Sequence, residues 1–377
     1  MPQVFIEKFD DYNVAEIYSY LKAHFTEIGF WETHSDKQTF LLKPNLLGAF
    51  APERAVTTHP AIVEAVMMIL KEENKTIWIG DSHGGTVSPK KVWSKTGLGE
   101  IAEKYDAKVL YFGESGVREF SYQDQQYHIT EDIFIADACI NLCKYKTHSM
   151  ARFTGAVKNL YGLIPGLEKV TLHSRYTNFD AFSNFVADIY KQTKGQFVYH
   201  IMDGIIGMEG EGPSSGNPRN FGVLIHSEKA SALDYQAVKM MGFDWHELTM
   251  IKQALHHDGI IPSRIVIDEQ WKEFQYENVD LTAVNLRSKI MAMLPASTEK
   301  IMTKLVRYYP AFNDKCRLCK VCVKSCPENA ITYTKGENTP KIDLKKCIRC
   351  MCCHEFCPYE AIYLHKSYLT KKLFGDR

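Results

Sequence analysis

Residues 132–166 read "DIFIADACINLCKYKTHSMARFTGAVKNLYGLIPG" and contain the two patterns that decide the fold class. Residues 132–145 form a largely apolar run of strand length, and residues 153–163 repeat apolar side chains at helical spacing. A strand that is apolar along most of its length is buried on both faces, as in a parallel sheet covered by helices. The stretch therefore predicts a buried strand followed by a helix.

The same alternation of strands and helices extends along most of the chain. Further strands are predicted at residues 38–47, 75–82, 108–112, 195–209 and 221–228, and further helices at residues 13–29, 60–73, 177–193 and 229–242. Such alternation predicts an α/β domain with a mostly parallel sheet and helices on both faces. We assign residues 1–310 to this domain, with a possible subdivision after about residue 195, and residues 311–377 to a second unit.

Composition and charge limit the classes of function. The 377 residues are enough for two or three domains, and the 45% of hydrophobic residues indicate a folded protein. The 45 basic residues equal the 45 acidic residues, which argues against a nucleic-acid-binding protein. No apolar run approaches the roughly 20 residues of a membrane span, and the first residues lack a signal-peptide pattern. We therefore expect a cytoplasmic protein with neither nucleic acid nor membrane as a partner.

Nine of the 11 cysteines lie in two similar runs, "CRLCKVCVKSCP" from residue 316 and "CIRCMCCHEFCP" from residue 347. Each run contains the pattern Cys-x-x-Cys-x-x-Cys-x-x-x-Cys-Pro. In this pattern three cysteines bind one 4Fe-4S cluster, and the fourth binds the cluster of the other run. The predicted ligands of one cluster are Cys316, Cys319, Cys322 and Cys357, and those of the other are Cys347, Cys350, Cys353 and Cys326.

Two other interpretations of the cysteines fit less well. A cytoplasmic chain of this size does not need disulfides, and zinc sites usually have paired Cys-x-x-Cys motifs without the two Cys-Pro endings. Cys352 lies between two predicted ligands and is expected to be a spare thiol, either packed or weakly exposed. Residues 311–366 resemble the bacterial two-cluster ferredoxins, which implies a small α+β module with clusters that each transfer one electron. Residues 311–377 have a surplus of six positive charges, which two anionic clusters would largely neutralise.

Polar and glycine-containing segments follow the predicted strands of the α/β domain. In open α/β sheets ligands bind at the carboxyl ends of the strands, where lysines and backbone N–H groups attract anions. The sequence therefore predicts a pocket for an anionic small molecule or an organic cofactor such as a flavin. "GDSHGG" at residues 80–85 matches neither a dinucleotide fingerprint nor a phosphate-binding loop. The predicted binding residues are Lys43, Asn45, Asp81, Gly84, Gly85, Lys144, Lys146, Asn159, Glu209 and Gly210.

Three further residues are candidate catalytic groups. His148 and His173 could act as acids or bases, although a lone histidine is more often a hydrogen-bonded structural residue. Lys158 lies on one face of the predicted helix 153–163 together with Thr154 and Tyr161. A solvated surface lysine is the alternative for Lys158, but its proximity in sequence to other basic residues favours the pocket.

The predicted helix 153–163 also contains Gly155 and Gly162. Each glycine lowers the stability of a helix by about 1 kcal/mol relative to alanine. We therefore expect either another backbone or a flat ligand to pack closely against these two residues.

Several buried or acidic residues have open assignments. Asp203, Glu209 and Asp234 could be general bases or cation ligands, but Asp203 could equally be a turn residue and Asp234 a helix-packing residue. Cys139 and Cys143 share one face of the predicted strand 132–145, and we expect them to be buried thiols rather than ligands.

The segments "KPNLL", "GDS", "KTH", "TGAVKNLYGLIPG", "MDGIIGMEGEGP" and "ALDYQAVKMMG" resemble the family called domain of unknown function 362. The resemblance covers roughly residues 38–250. It implies an α/β domain with an active pocket, often joined to a C-terminal two-cluster ferredoxin, but it implies no particular reaction.

Three functions remain open at this point. The chain could be a redox enzyme whose clusters exchange electrons with a bound anion or cofactor. It could instead be an electron carrier or assembly partner that docks another redox protein. It could also be a non-redox enzyme with structural or sensory clusters. We favour an iron–sulfur oxidoreductase because this function uses both parts of the chain, and we expect the pocket to open toward the clusters.

Overall fold

The structure, a computed structural model, describes residues 1–176, 179–281 and 308–366. The α/β domain contains the following helices and strands: β1 (Gln3–Lys8), α1 (Val14–Glu27), α2 (Phe30–Thr33), β2 (Thr39–Pro44), α3 (Pro60–Glu72), β3 (Thr76–Asp81), α4 (Pro89–Lys95), α5 (Leu98–Lys104), β4 (Lys108–Tyr111), β5 (Val117–Tyr122), β6 (Gln125–Thr130), α6 (Asp132–Ile135), β7 (Ala138–His148), β8 (Arg152–Thr154), α7 (Ala156–Asn159), α8 (Glu168–Arg175), α9 (Phe179–Thr193), β9 (Phe197–Glu209), β10 (Asn217–Ser227), α10 (Ala230–Met240), α11 (Thr249–Asp258) and β11 (Val266–Ile267).

Nine of the described strands form one mixed sheet in the order β11-β1-β10-β9-β7-β2-β3-β4, with β8 paired to β7. The centre is parallel, because β9, β7, β2, β3 and β4 all run in the same direction. β10 is antiparallel to both β9 and β1. This arrangement confirms the predicted α/β class with a mostly parallel sheet.

Two apolar cores cover the two faces of the sheet. Ile140 and Leu142 of β7 pack with residues of α1 and α3 on one face. Cys139 and Cys143 of the same strand pack with residues of α9 and α10 on the other face. Side chains alternate across a strand, so this division follows directly from the sequence order. Both thiols are fully buried, as predicted.

The segment that follows the central strand differs from the prediction. Residues 132–135 form the short helix α6, and β7 extends to residue 148 instead of ending at residue 145. The predicted helix 153–163 is replaced by β8, the four-residue helix α7 and a 3-10 turn at Leu160–Leu163. Pairing of β8 with β7 and the extended backbone of Gly155 prevent one continuous helix.

The sequence also did not predict which strands run antiparallel. The link between β9 and β10 spans residues 210–216. A parallel connection needs a crossover of about a dozen residues or more, so this short link requires a hairpin. β1, which pairs with β10, is not among the predicted strands.

Residues 308–366, the described part of the cysteine-rich module, contain two short helices and four strands. They are β12 (Tyr308–Phe312), α12 (Val321–Lys324), β13 (Ile331–Thr332), β14 (Lys341–Ile342), α13 (Cys352–Glu355) and β15 (Ile362–Lys366). β12 pairs with β15 and β13 pairs with β14, both antiparallel. The small α+β module was predicted, although β12 begins three residues before the predicted boundary at residue 311. The predicted C-terminal tail beyond residue 366 lies outside the described residues.

The module packs against the carboxyl-end edge of the sheet. Phe356 lies against Gly84 and Gly85 in the loop after β3. Arg54 forms an ion pair with Glu360 of the module. These contacts fix the cysteine-rich module next to the strand ends of the α/β domain.

In the described part of the chain, no helix is long and apolar enough to cross a membrane.

Candidate functional site

A cavity lies where the carboxyl ends of β2, β3 and β7 meet the cysteine-rich module. The volume of the cavity is ≈ 70 Å³. The predicted site residues in its wall are Asn45, Asp81, Gly84, Lys146, Lys158, Asn159 and His173. The module contributes Cys352, Glu355 and Phe356 to the same wall. We refer to this space as the interdomain cavity, because residues of both domains line it.

Lys146 is held in the wall by two neutral acceptors. Its Nζ donates to the side-chain oxygen of Asn45 at 2.9 Å and to the carbonyl of Val56 at 2.6 Å. Burial lowers the pKa of Lys146 well below its usual value, and the neighbouring charge of Lys158 lowers this pKa further. Lys146 therefore fixes the wall through neutral acceptors, without a carboxylate partner.

Two lysines in the wall have ammonium groups without acceptors. Among the residues that the structure describes, neither Lys158 nor Lys169 forms a side-chain hydrogen bond or an ion pair. Burial lowers the pKa of Lys158, whereas Glu355 opposes this effect. Burial lowers the pKa of Lys169 to about 7, against the raising effect of Asp81. Lys169 was not predicted as a site residue, although it lies only 11 residues after Lys158.

Two predicted binding lysines lie outside the wall because buried carboxylates pair with them. Lys43 Nζ lies 2.9 Å from Asp81 Oδ1. Lys144 Nζ lies 2.6 Å from Asp203 Oδ2. Asp203 also accepts a hydrogen bond from the Tyr12 hydroxyl, so it is neither a turn residue nor an exposed base. A buried charge needs such a partner, and the two pairs stabilise the strand ends rather than bind a ligand.

Glu209 and Gly210 also lie outside the wall. Glu209 Oε2 accepts hydrogen bonds from Arg219 at 2.8 Å and from the backbone N–H of Asp280 at 3.1 Å. The N–H of Gly210 donates to the Asp280 carbonyl at 2.8 Å. β9 extends to residue 209 in its hairpin with β10, and Pro213 of the link that follows lines the cavity in place of Glu209 and Gly210.

The glycines of residues 155–162 make room for carboxylates, and Gly162 also lines the interdomain cavity. A Cβ atom on Gly162 would lie 2.2 Å from Asp81 Oδ1, and one on Gly155 would lie 2.3 Å from Asp234 Oδ1. Asp234 accepts hydrogen bonds from the N–H groups of Ala156 and of residue 157 at 2.7 and 2.9 Å. Burial raises the pKa of Asp234 to about 7. Asp234 therefore has the packing role rather than a role as an exposed base.

The glycines after β3 accommodate the module instead of presenting their N–H groups to an anion. A Cβ atom on Gly84 would lie 2.1 Å from the ring of Phe356, and the N–H of Gly84 donates to the carbonyl of Leu47 at 2.8 Å. Gly85 has φ +75°, which favours glycine, and a Cβ atom there would lie 3.2 Å from the same ring. Gly85, which was predicted as a binding residue, therefore does not line the cavity.

Glu355 brings a carboxylate from the module to two histidines of the α/β domain. Its Oε1 lies 3.4 Å from His148 Nε2 and 3.6 Å from His173 Nε2. His148 Nδ1 accepts hydrogen bonds from the N–H groups of Met150 and Ala151 at 3.1 and 3.0 Å, which places the proton of the neutral ring on Nε2. His148 lies behind Glu355, whereas His173 and Glu355 line the cavity.

Burial has the largest effect on the pKa values of Glu355 and of the two histidines. It lowers the pKa of His173 to about 3 and that of His148 well below its usual value. It raises the pKa of Glu355 to about 7, although Lys158 and Lys146 lower this pKa. Both histidines are therefore neutral near pH 7, and they can donate or accept hydrogen bonds without adding charge.

Cys352 connects the interdomain cavity with the cysteine cluster. Its Sγ lies 3.7 Å from His173 Nδ1. Cys352 also lines a second, smaller cavity inside the module. The thiol is buried, as predicted for a spare cysteine, and it packs with Val170 and Cys350 between the two cavities.

The predicted cluster ligands surround two separate cavities in the module. Cys326, Cys347, Cys350 and Cys353 line one of them. Cys316, Cys319, Cys322 and Cys357 line the other. None of the described cysteines forms a disulfide. The first set is called the proximal set, because its cavity shares Cys352 with the interdomain cavity, and the second is called the distal set.

The residues of both sets fit 4Fe-4S clusters. Four predicted ligands line each cavity, and Cys352 is a fifth cysteine in the wall of the proximal one. Backbone N–H groups of residues 330 and 361 donate to Cys326 Sγ at 3.2 Å and to Cys357 Sγ at 3.3 Å. Such N–H···S hydrogen bonds are a general means of tuning cluster potentials. When bound, the clusters would supply one-electron transfer. Cys319 of the distal set is exposed, whereas Cys350 and Cys353 of the proximal set are buried.

Known proteins that are similar to this chain include one curated relative and two solved structures. A thylakoid-associated protein of Synechocystis sp. is 31% identical over 207 residues, which cover 54% of this chain and 63% of the relative. The chain thus spans less than two thirds of that relative. A protein from Thermotoga maritima has a TM-score of 0.38 and 10% identity, with coverage of 67% of this chain and 61% of that one. The lactate racemase apoprotein of Thermoanaerobacterium thermosaccharolyticum has a TM-score of 0.37 and 15% identity, with coverage of 53% and 48%.

Two family models match the two parts of the chain. A model described as a 4Fe-4S dicluster domain matches residues 315–361, in agreement with the cysteine sets and their cavities. A model described as a domain of unknown function matches residues 40–239, which is more than half of the chain. The protein is therefore an iron–sulfur protein that belongs to the DUF362 family and has a C-terminal ferredoxin module.

Proposed function

We propose that the protein is an oxidoreductase in which two 4Fe-4S clusters exchange electrons with a small anion bound in the interdomain cavity. The observation that supports this proposal most directly is the position of Cys352. This residue lines both the interdomain cavity and the cavity of the proximal set. The side chain of Cys352 therefore lies beside both the proposed proximal cluster and a bound ligand, and short separations favour electron transfer.

The exposure of the cysteines supports an electron route through both clusters. Cys319 of the distal set is exposed, so a redox partner protein could approach the distal cluster at the surface. The proximal set lies between the distal set and the interdomain cavity. Electrons would thus pass between the partner, the distal cluster, the proximal cluster and the bound ligand.

The charges around the cavity favour an anion. Lys158 and Lys169 have no acceptor among the described residues, whereas Asp81 is neutralised by Lys43. Glu355 is the remaining carboxylate of the wall. The lysines therefore leave a positive surplus, and each close charge-assisted contact with an anion contributes roughly 1.5–3 kcal/mol.

The size of the cavity favours a small anion over a flavin. Its ≈ 70 Å³ corresponds to the space of about five water molecules, at roughly 10–15 Å³ each by the same measure. A carboxylate or phosphate compound of similar size fits this space. The three-ring system of a flavin is larger, and it would require displacement of the module.

We further propose a cytoplasmic location. The described cysteines are all unpaired, and 4Fe-4S clusters with an exposed ligand such as Cys319 are sensitive to oxygen. A reducing compartment suits both properties.

A reoxidation experiment tests the proposal. Anaerobically reduced protein is mixed with small anionic oxidants such as nitrite, glyoxylate and oxaloacetate, and the return of the visible cluster absorption is followed. For at least one of these oxidants, we expect the wild type to be reoxidised at least about tenfold faster than the Lys158→Met variant. The matched control is Lys252→Met, because Lys252 is an exposed lysine of α11.

Equal rates in the wild type and Lys158→Met would contradict the proposal. Electrons would then leave at the surface of the module, and an electron carrier that docks another protein would be the better interpretation. Failure of every oxidant, with no effect of any small anion on the clusters, would favour structural or sensory clusters.

A further inference from the structure

Four buried polar atoms in or next to the wall of the interdomain cavity have no hydrogen-bond partner in the described part of the chain: Thr154 Oγ1 and three atoms that lie close together. These three are His148 Nε2, His173 Nε2 and Glu355 Oε1. All three residues are at least 95% buried. Buried polar atoms without partners are rare in folded proteins, and each one indicates a missing water, ion or ligand atom. Their convergence at one point marks a polar subsite.

The distances indicate what kind of atom completes the subsite. Glu355 Oε1 lies 3.6 Å from His173 Nε2 and 3.4 Å from His148 Nε2. These separations are longer than a good hydrogen bond of 2.7–3.2 Å. His173 and Glu355 both line the cavity, so one ligand atom there can bond to both groups.

A hydroxyl oxygen satisfies this pair. The carboxylate of Glu355 accepts a hydrogen bond, and the neutral ring of His173 donates from Nε2 when the thiol of Cys352 donates to its Nδ1. A hydroxyl group donates to the first and accepts from the second. A carbonyl oxygen only accepts and an ammonium group only donates, so each leaves one buried atom unsatisfied. Within the described ranges, no three His, Cys, Asp or Glu side chains are arranged around a single metal ion.

Two lysines of the same wall can bind the anionic group of a ligand. Lys158 and Lys169 line the cavity together with His173 and Glu355. The carboxylate of Glu355 would repel an anionic group of the ligand. The ammonium groups of the two lysines have no acceptor among the described residues, so they would attract it. The wall thus has one region for an anionic group and another for a hydroxyl group.

We propose that the ligand of this cavity is a small organic anion that carries a hydroxyl group, with its anionic group at Lys158 and Lys169 and its hydroxyl group at His173 and Glu355. This inference rests on the proposed anion-binding function of the cavity and adds the class of ligand. His148 is a positioning residue, since its Nε2–H faces Glu355 Oε1 from the wall at 3.4 Å.

Binding measurements with glycolate and acetate test the inference, because the two anions differ by one hydroxyl group. Isothermal titration calorimetry is performed on the anaerobic, cluster-loaded protein. We expect the wild type to bind glycolate at least about tenfold more tightly than acetate, since acetate leaves two buried polar atoms unsatisfied. Lys158→Met should weaken the binding of both anions.

Two histidine variants isolate the hydroxyl subsite. His173→Asn keeps a polar atom near the position of Nδ1 but removes Nε2, so glycolate should lose its advantage while the affinity for acetate stays unchanged. His173→Gln places an amide nitrogen near the position of Nε2, and it should keep most of the advantage. His246→Asn is the matched control, because His246 is an exposed residue that pairs with Asp244. Cluster absorption and thermal unfolding are recorded for each variant.

The outcomes separate this inference from the proposed function. If wild type binds glycolate and acetate equally and Lys158→Met weakens both, the hydroxyl assignment is wrong and the anion site stands. If His173→Asn folds and keeps the advantage of glycolate, the unpaired atoms bind only a structural water, and the inference is overturned. If neither anion binds, or if Lys158→Met changes nothing, both the inference and the anion site fail.

Discussion

Five lysines at the carboxyl ends of the central strands differ in what surrounds their ammonium groups. Lys43 and Lys144 pair with buried carboxylates, and Lys146 donates to neutral oxygens. Lys158 and Lys169 have no acceptor among the described residues. Removing a charge from water is expensive unless a partner replaces the water, so the two unpaired lysines are the ones that a ligand would bind. The sequence predicted lysines at the strand ends but not these differences, because the partner carboxylates come from other strands.

The first prediction at the residue scale is that anion affinity depends on pH through Lys169. Burial lowers the pKa of this lysine to about 7, so its ammonium group loses its proton as the pH rises through this value. The affinity for acetate should therefore fall between about pH 6 and about pH 8. Glu355, with a pKa raised to about 7, gains negative charge over the same range and acts in the same direction.

The Lys169→Met variant separates the two contributions. It should bind acetate more weakly than the wild type at low pH, and its affinity should change less with pH, with only the contribution of Glu355 remaining. Calorimetry at several pH values measures both effects, and Lys252→Met should retain the full dependence. An unchanged slope in Lys169→Met would show that Lys169 does not contact the anion.

The second prediction concerns the iron content of the module. Anaerobic protein should contain about eight iron and eight sulfide per chain, as two 4Fe-4S clusters require. Cys352→Ala should leave this content unchanged, because Cys352 faces His173 and lies outside both predicted ligand sets. Cys353→Ala should lower it, because Cys353 belongs to the proximal set. Iron and sulfide analysis checks both variants, and an equal loss in both would make Cys352 a ligand.

At the scale of elements, the sequence predicted the positions of the strands better than their directions. Apolar runs located β2, β3 and β9 to within three residues and β7 with an offset of six residues at its start, because burial on both faces requires such runs. The antiparallel direction of β10 depends on the length of the preceding link, and residues 210–216 contain this information. The helix predicted at residues 153–163 was wrong, because its apolar spacing also fits a short strand followed by two short helical turns.

The module itself docks through residues that distinguish its second cysteine run from the first. Between the third and fourth ligands, the first run has "VKS" at residues 323–325, and the second has "HEF" at residues 354–356. The backbone of His354 accepts a hydrogen bond from Ser214 Oγ at 3.4 Å, and Phe356 packs on Gly84. This difference between the repeats was the signal in the sequence that could have identified which cluster faces the pocket.

The prediction at this scale is that Gly84→Ala loosens the module. A Cβ atom at residue 84 would lie 2.1 Å from the ring of Phe356, so the ring must move away from its position on the loop. Amide hydrogen exchange of residues 352–357 should increase, and the affinity for small anions should fall. Gly195→Ala is the matched control, because a Cβ atom there meets nothing within 4 Å. Identical exchange in the two variants would mean that Phe356 does not hold the module in place.

At the scale of the whole molecule, the two cysteine sets occupy different environments. The cavity of the proximal set borders the interdomain cavity through Cys352, whereas the distal set includes the exposed Cys319. The near-identical spacing of the two runs hides this asymmetry in the sequence. It arises only when the module packs on the carboxyl ends of the strands, with Arg54 and Glu360 paired across the interface. The two clusters should therefore respond differently to changes in the α/β domain.

The last prediction uses this difference. Lys158 lines the interdomain cavity next to Cys352 and Glu355, so its positive charge should stabilise the reduced, more negative state of the proximal cluster more than that of the distal cluster. Lys158→Met should lower the midpoint potential of one cluster by on the order of tens of millivolts, and the other should remain nearly unchanged because solvent screens longer separations. A potentiometric titration followed by electron paramagnetic resonance measures both potentials, with Lys252→Met as the control. Equal shifts of both clusters, or no shift in either, would show that the cavity is not coupled to the proximal set, and the electron route through Cys352 would be wrong.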